Sequence, residues 1–529
     1  MTEPTLAQAL TKGFQRHNIK RIFGVPGGGS ALPIIDAARE LGIDFILTRS
    51  EMSASIMAAV TGEISGAPGV VLACLGPGAS SLATGTAYAS LEQAPMLVLT
   101  DGPAASLHQR YDQNALFAPI TKHQGLFSPE GAVGDVEDVL SLTNDAPLGP
   151  VQMNINAAGA VTQVSDGNAQ VARVAPVISP DSSIDDARKL LENSRKPVLL
   201  VGLEARYADA PQAALRLAEA MNCPVLSTYK GKGVVPDRHA RMAGMFTGAV
   251  SEFKAIADAD LIVTFGVDPV EFIASPWHHT APILEIRVCD TPHLLVEPAT
   301  RIIGPLTASA NALCTGKTQS LWTPEMIGAL TTDLRERVEV KSNGHTAQSV
   351  AEAIVAAAPE RIRASVDAGA HMVSAMSVLE ADHPFGVLKS NGLSTMGYAL
   401  PAAIASALHD PDIPAVAVTG DGGLLMCLAE LSTAKEHKCN VVTVVLNDSA
   451  LSLIDIKQQW QNLDTAGVRF PDTDFAAVAK GMGVAAWRVG PSDDLLGAMK
   501  EAFAHDGPAL VDVTTDASVY NVQVAALRG

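Results

Sequence analysis

Gly420-Asp421-Gly422-Gly423 and Asn447-Asp448 each follow a run of β-formers, residues 415–419 and 440–446, with a helix-like stretch at 426–438 between them. A strand, a crossover helix and a second parallel strand would bring Asp421 and Asn447 out at neighbouring carboxyl ends, the edge of an open α/β sheet where ligands bind. A carboxylate, an amide oxygen and nearby main-chain carbonyls form an all-oxygen set suited to a hard cation such as Mg²⁺, which keeps part of its shell for phosphate oxygens. Glycine at 420, 422 and 423 lets the backbone come close enough for amide groups to meet a phosphate. The implied ligand is a diphosphate carried on Mg²⁺. Either short motif alone is an ordinary turn former. The pair carries the reading, with 24 residues between Gly422 and Asn447.

The elements needed to position these residues recur along the chain. Residues 1–165 alternate β runs and helical patterns: "RIFGV" then "ALPIIDAARELG", "DFILT" then "EMSASIMAAVTGE", "VVLACL" then "SSLATGTAYASLE", and "PMLVLTD". Such alternation predicts a parallel sheet with crossover helices. Polar and proline-bearing sequence at 165–184 reads as a linker. A second set spans 185–325, with "KPVLLVGLEA" and "ADLIVTFGVDP", and a third spans 345–529, ending in "PALVDVTTD". The expectation is an α/β protein of three doubly wound parallel-sheet domains, the first and third sharing a layout.

Composition narrows the function. A net charge of −19 argues against coating nucleic acid or an anionic membrane. The six cysteines form no CxxC pair, so neither a disulfide framework nor a zinc site is expected and the thiols are read as reduced. The start lacks a signal-peptide pattern and no apolar run reaches the roughly 18 residues of a membrane span, so a cytoplasmic small-molecule enzyme is expected.

Gly-Asp-Gly followed at this interval by Asn resembles the signature of thiamine diphosphate enzymes. Further stretches are similar to acetolactate synthase and its relatives, in collinear order: "IFGVPGGGSALP", "CLGPGASSLATG", "PITKH", "STYKGKGVVPDRHARMAGM" and "SNGLSTMGYALPAAIASAL". The resemblance implies a pyrimidine-binding first domain, a central domain and a diphosphate-binding third domain. It implies Glu51, in "ILTRSEMSAS", as the catalytic carboxyl that hydrogen-bonds the aminopyrimidine ring and promotes loss of the thiazolium proton. Asp421, Asn447 and the Ser449 carbonyl would hold the metal, and Gly422 and Gly423 would face the diphosphate. Met396 would bend the cofactor, with Ser394 against the pyrimidine. Sites at the interface of a homodimer or homotetramer follow from the same resemblance.

Several positions depart from the pattern. Ser50 stands where the group has histidine, and "PGGGSALP", with Gly28, is one residue longer than the usual pocket loop. Asp455 and Lys457 fall where the synthases carry arginine and tryptophan, so Lys457 is a candidate for a substrate carboxylate. Leu453 falls where pyruvate decarboxylases place glutamate, and with Leu451 and Ile454 it is the expected pocket wall. Gln109 falls on a glutamine used near the substrate, and His108 is the nearest proton-transfer candidate. The missing decarboxylase acids favour an acetolactate synthase-like enzyme that decarboxylates a small 2-oxo acid, by default pyruvate, and passes the carbanion to an acceptor carbonyl. Alternatives are a benzoylformate-type decarboxylase, a 2-hydroxyacyl-CoA lyase, an oxidase using FAD, or a silent cofactor-binding relative. No arginine-rich stretch in the central domain would fix an ADP or flavin group, so FAD is not predicted. "GVPGGGS" lacks the full dinucleotide spacing, which makes a dehydrogenase a weak reading.

Overall fold

The computed structural model describes residues 3–102, 108–130, 132–164, 178–249, 252–272, 277–291, 296–314 and 318–528. Runs rich in Val, Leu and Ile form the strands of three six-stranded sheets. The first holds β1 (Arg21–Val25), β2 (Asp44–Leu47), β3 (Gly69–Ala73), β4 (Met96–Asp101), β5 (His123–Phe127) and β6 (Pro150–Ile155), in spatial order β2-β1-β3-β4-β6-β5. The central sheet holds β7 (Pro197–Val201), β8 (Val225–Ser227), β9 (Met242–Met245), β10 (Leu261–Phe265), β11 (Ile283–Arg287) and β12 (Thr300–Ile303), in order β12-β11-β10-β7-β8-β9. The third holds β13 (Arg363–Val366), β14 (Val387–Lys389), β15 (Ala415–Gly420), β16 (Val441–Asn447), β17 (Ala485–Val489) and β18 (Ala509–Thr514), in order β14-β13-β15-β16-β18-β17. Neighbouring strands pair in parallel. The first and third sheets therefore share one strand order, whereas the central sheet has the order of dinucleotide-binding sheets, whose direction reverses between β7 and β10.

Parallel strands covered on both faces read as continuous apolar runs, and β3, β7 and β10 are buried at every position. Each fully buried Val, Leu or Ile contributes roughly 1.5–3 kcal/mol, so these strands are the rigid floor from which the loops project. The structure revises the expected helix at 426–438. A helix begins earlier, as Asp421–Cys427, and a second runs Glu430–Glu436, so Asp421 is itself the first helical residue. The expected linker is shorter than read, since a helix spans Asp181–Asn193; residues 165–177 lie outside the described ones.

The chain divides into two compact units. One comprises Met1–Ala175, Gly397–Ala415 and Leu425–Val441, and the other Pro176–Met396, Val416–Leu424 and Val442–Gly529. Among the described residues no helix is long and apolar enough to cross a membrane.

Candidate active site

At the carboxyl edge of the third sheet, β15 delivers Asp421 and β16 delivers Asn447 on adjacent strands. Asp421 Oδ1 accepts the Gly422 N–H at 2.6 Å, and Oδ2 accepts the N–H groups of Asp448 at 3.0 Å and Ser449 at 2.6 Å. The loop after β16 is thereby folded onto the carboxylate. Ser449 reaches its place with φ of 59°, a left-handed conformation that non-glycine residues hold only where the surroundings enforce it. Asn447 Nδ2 donates to Asp512 Oδ1 and the Thr473 carbonyl, both at 3.0 Å, which fixes the amide's orientation and leaves Oδ1 for a ligand.

Burial raises the Asp421 carboxyl above its ordinary range. Burial also raises Asp448, to about 6, with the charge of Asp421 adding to it although the Ser452 hydroxyl donates to Asp448 Oδ2 at 2.5 Å. A buried and a half-buried carboxylate side by side, with no basic side chain among the described residues bonded to either, are the electrostatic setting in which a bound cation is stabilising. No group of three or more His, Cys, Asp or Glu converges among the described residues. A cation here would therefore take a mixed oxygen set: Asp421, Asn447 Oδ1 and main-chain carbonyls. That donor set fits Mg²⁺.

A cavity of about 200 Å³ opens beside these groups, lined by Ser394, Met396, Gly422, Leu451, Leu453 and Ile454 among others. Ser394, like Ser449, has a left-handed backbone, with φ of 53°. A Cβ on Gly422 would lie 2.7 Å from Leu451 Cδ2 and 3.3 Å from Met396 Cε, so a side chain there would push on the cavity wall. A Cβ on Gly423 would meet Asp367 Oδ2 at 2.2 Å. His371 and Tyr520 also line the cavity. Burial first, and Lys389 next, lower His371 to about 4, and its buried Nε2 has no hydrogen-bond partner. Sequence reasoning passed over His371, though it follows the strand run "RASV" within "DAGAH", at a carboxyl end like Asp421. Lys457 is exposed on the helix Ser452–Trp460 and does not line the cavity.

The first sheet presents a second cluster at its own carboxyl edge. Glu51 is the first residue of the helix Glu51–Ser65, whose N-cap Ser50 accepts the Ser53 N–H at 3.2 Å. Glu51 Oε1 lies 3.4 Å from where a Cβ on Gly78 would stand, and a Cβ on Gly76 would stand 2.8 Å from Gln109 Cβ. Glu51 and Gln109 thus meet the same glycine turn after β3. Gln109 too has a left-handed backbone, φ 57°. In the loop after β1, Ser30 N–H donates to Asp101 Oδ1 at 2.7 Å, while Gly28 is exposed with no atom of the described residues near the place of its missing Cβ. His108 is exposed and makes no hydrogen bond or ion pair with another described residue. Burial raises the Cys74 thiol, with Asp101 and Glu51 contributing after it.

The central sheet's carboxyl edge is filled by the chain's own acids. Glu271 Oε2 accepts the N–H groups of Leu203, after β7, and Asp268, after β10, both at 2.9 Å. Glu204 Oε2 accepts the Val288 N–H, after β11, at 2.9 Å, and Glu204 Oε1 accepts Arg287 Nη2 at 2.8 Å. The strand order favours a dinucleotide at this place, but the amides that would meet its phosphates already hold carboxylates. An FAD or ADP diphosphate does not fit the described residues of this edge as folded.

Three family models match the chain in sequence order. They are thiamine pyrophosphate enzyme, N-terminal TPP binding domain at 4–123, central domain at 184–312, and C-terminal TPP binding domain at 367–513. The chain belongs to the thiamine pyrophosphate enzyme family and is a thiamine diphosphate-dependent enzyme of its carboligase and decarboxylase group. It is similar to an acetolactate synthase of Bacillus subtilis, 27% identical over 97% of this chain and 93% of that protein. A catabolic acetolactate synthase of Raoultella terrigena is 27% identical over 96% of this chain and 95% of its own length. A probable 2-ketoarginine decarboxylase of Pseudomonas aeruginosa is 28% identical, with 96% and 94% covered.

Proposed function

We propose that the third sheet's edge holds the diphosphate of thiamine diphosphate through Mg²⁺ on Asp421, Asn447 Oδ1 and the Ser449 carbonyl. The observation that carries this reading is the Asp421 carboxylate, held by three main-chain N–H groups beside an asparagine whose amide nitrogen is tied back. Met396 and Ser394 would orient the cofactor's rings, and Glu51 would hydrogen-bond the pyrimidine nitrogen. Bound thiamine diphosphate supplies an acidic carbon and a sink for the electrons left by decarboxylation. Leu451, Leu453 and Ile454 wall off water from the reacting carbon, and Gln109 faces the acceptor.

The donor is a small 2-oxo acid, by default pyruvate, and the acceptor a second carbonyl, as in the acetolactate synthases this chain is similar to. The apolar wall supports a small donor. The division into domains 1–165, 185–325 and 345–529 belongs to the same proposal, as does a homodimer or homotetramer in which Glu51 of one protomer serves the Asp421 site of its partner. Purified protein with thiamine diphosphate and Mg²⁺, given a panel of 2-oxo acids, should release CO₂ from pyruvate and form acetolactate. Free aldehyde as the main product would move the enzyme to the decarboxylases, and no release from any acid would defeat the reading.

A further inference from the structure

The helix that begins at Glu51 is fixed at both ends by groups outside the proposed chemistry. Toward its far end Tyr88 Oη donates to Glu63 Oε2 at 2.7 Å and lies 3.0 Å from Tyr398 Oη, all three residues fully buried. At its start a single oxygen, Glu430 Oε1, accepts the main-chain N–H groups of both Arg49 at 3.0 Å and Ser50 at 3.1 Å. The other oxygen accepts the Thr433 hydroxyl at 2.7 Å, and Glu430 is buried. The Arg49 side chain is tied to the same short helix, with Nε donating to Ser432 Oγ at 2.7 Å and Nη2 to Glu436 Oε2 at 2.6 Å. The two N–H groups precede the helix, so no helical carbonyl can serve them. Leaving such donors unpaired costs about 1–3 kcal/mol each when buried, enough for the turn to rearrange instead.

We infer that Glu430 is a positioning residue for Glu51, an inference that rests on the role proposed for Glu51 above. The carboxylate sets where β2's connection ends and the helix begins, one residue before Glu51. The substitution at Ser50 fits this division of labour. Ser50 Oγ caps the helix through the Ser53 N–H, and Glu430 takes the N–H groups that the cap cannot reach. Glu430 acts through the backbone and not on a reacting atom. A shift of about 1 Å in a reacting group can cost on the order of 10²-fold in rate.

The test compares Glu430→Leu, Glu430→Gln and Glu430→Asp in full-length protein with thiamine diphosphate and Mg²⁺. The readouts are thermal denaturation, cofactor affinity, kcat, KM and exchange of the thiazolium proton for deuterium. Glu430→Leu should lower kcat and exchange about 10²-fold while KM and cofactor affinity stay within about twofold. Glu430→Gln keeps an oxygen for both N–H groups and should recover most of the exchange rate. A folded Glu430→Leu protein with wild-type exchange overturns the inference, and so does a parallel loss of cofactor affinity, which marks a general structural role. Where Glu430→Leu does not fold, Glu430→Asp, with its carboxylate withdrawn by one methylene, should slow exchange about tenfold, and an unchanged rate overturns the inference. Fast exchange in Glu51→Gln would sink the role of Glu51 itself. Slow exchange in Glu51→Gln with fast exchange in Glu430→Leu sinks the positioning alone.

Discussion

The central sheet ends in Glu271 and Glu204 seated on the amides of Leu203, Asp268 and Val288, while the third sheet ends in Asp421 seated on the amides of Gly422, Asp448 and Ser449. Both edges bury carboxylates on main-chain donors, but they differ in what is left over. At the central edge Arg287 Nη2 reaches Glu204 at 2.8 Å and Asp268 at 2.6 Å, so the negative charge is answered from within. At the third edge no arginine or lysine among the described residues bonds to Asp421 or Asp448, Asn447 is held through its amide nitrogen, and a cavity adjoins. Strand order marks a switch point in all three sheets and so does not choose among them. An edge becomes a site where the protein leaves charge and donors uncompensated, and topology only marks where that can happen.

Removing the cation's carboxylate should have the largest effect. Asp421→Ala should weaken Mg²⁺ and thiamine diphosphate binding together, by more than the roughly 10–100-fold that loss of an outer-shell partner costs, and should abolish turnover. Asp512→Ala, which frees the Asn447 amide to rotate, should fall inside that 10–100-fold range. Titration calorimetry distinguishes the two, and unchanged affinity in Asp512→Ala would mean that Asn447 is not oriented by Asp512.

These residues were unequally legible in the sequence. Asp421 and Asn447 stand out because a polar residue closing a continuous apolar run lies at a strand end, and parallel strands buried on both faces give such runs; Glu51, four residues past the half-exposed edge strand β2, was legible only through the family resemblance. β6 was passed over because Gln152 and Asn154 interrupt its run. They are buried only because each bonds to partners such as Thr100 Oγ1, 2.8 Å from Gln152 Nε2, and Asn114 Oδ1, 2.8 Å from Asn154 Nδ2. β5 was passed over as a half-exposed edge strand. Glu430 and Glu271 gave no local signal at all, since their partners are fixed by tertiary folding. Lys457 stands on an exposed face of the helix Ser452–Trp460, outside the cavity lining, which ungapped counting could not show.

The central edge yields smaller effects, read as stability. Arg287→Met strands the buried Glu204 and the half-buried Asp268 and should cost about 3–5 kcal/mol, seen as a lowered melting temperature, with cofactor affinity unchanged. A fall in thiamine diphosphate affinity would mean that the two edges are coupled.

Burial raises Glu271 to about 7 although three groups donate to it. Its folded value lies above its unfolded one, so its contribution to stability is complete below about pH 4.3 and is lost as the pH climbs through 7. Glu271→Gln cannot ionise. It should flatten the fall in denaturation midpoint between about pH 5 and 8, and an unchanged slope would remove Glu271 as its cause. The smallest expected effect is none: ADP or FAD should not shift the melting temperature of the wild-type protein, and stabilisation by either would show that the central acids yield to a phosphate.

The most direct test of the contrast is a titration of thiamine diphosphate into the full-length protein, once with Mg²⁺ and once with the divalent cation chelated, in parallel with Asp421→Ala. Tight binding should require both the cation and the carboxylate, so that wild type without Mg²⁺ and the variant with it are alike in their weakness. Equal affinity with and without the cation, or full affinity in Asp421→Ala, would contradict the assignment of the third sheet's edge as the site of the cofactor's diphosphate.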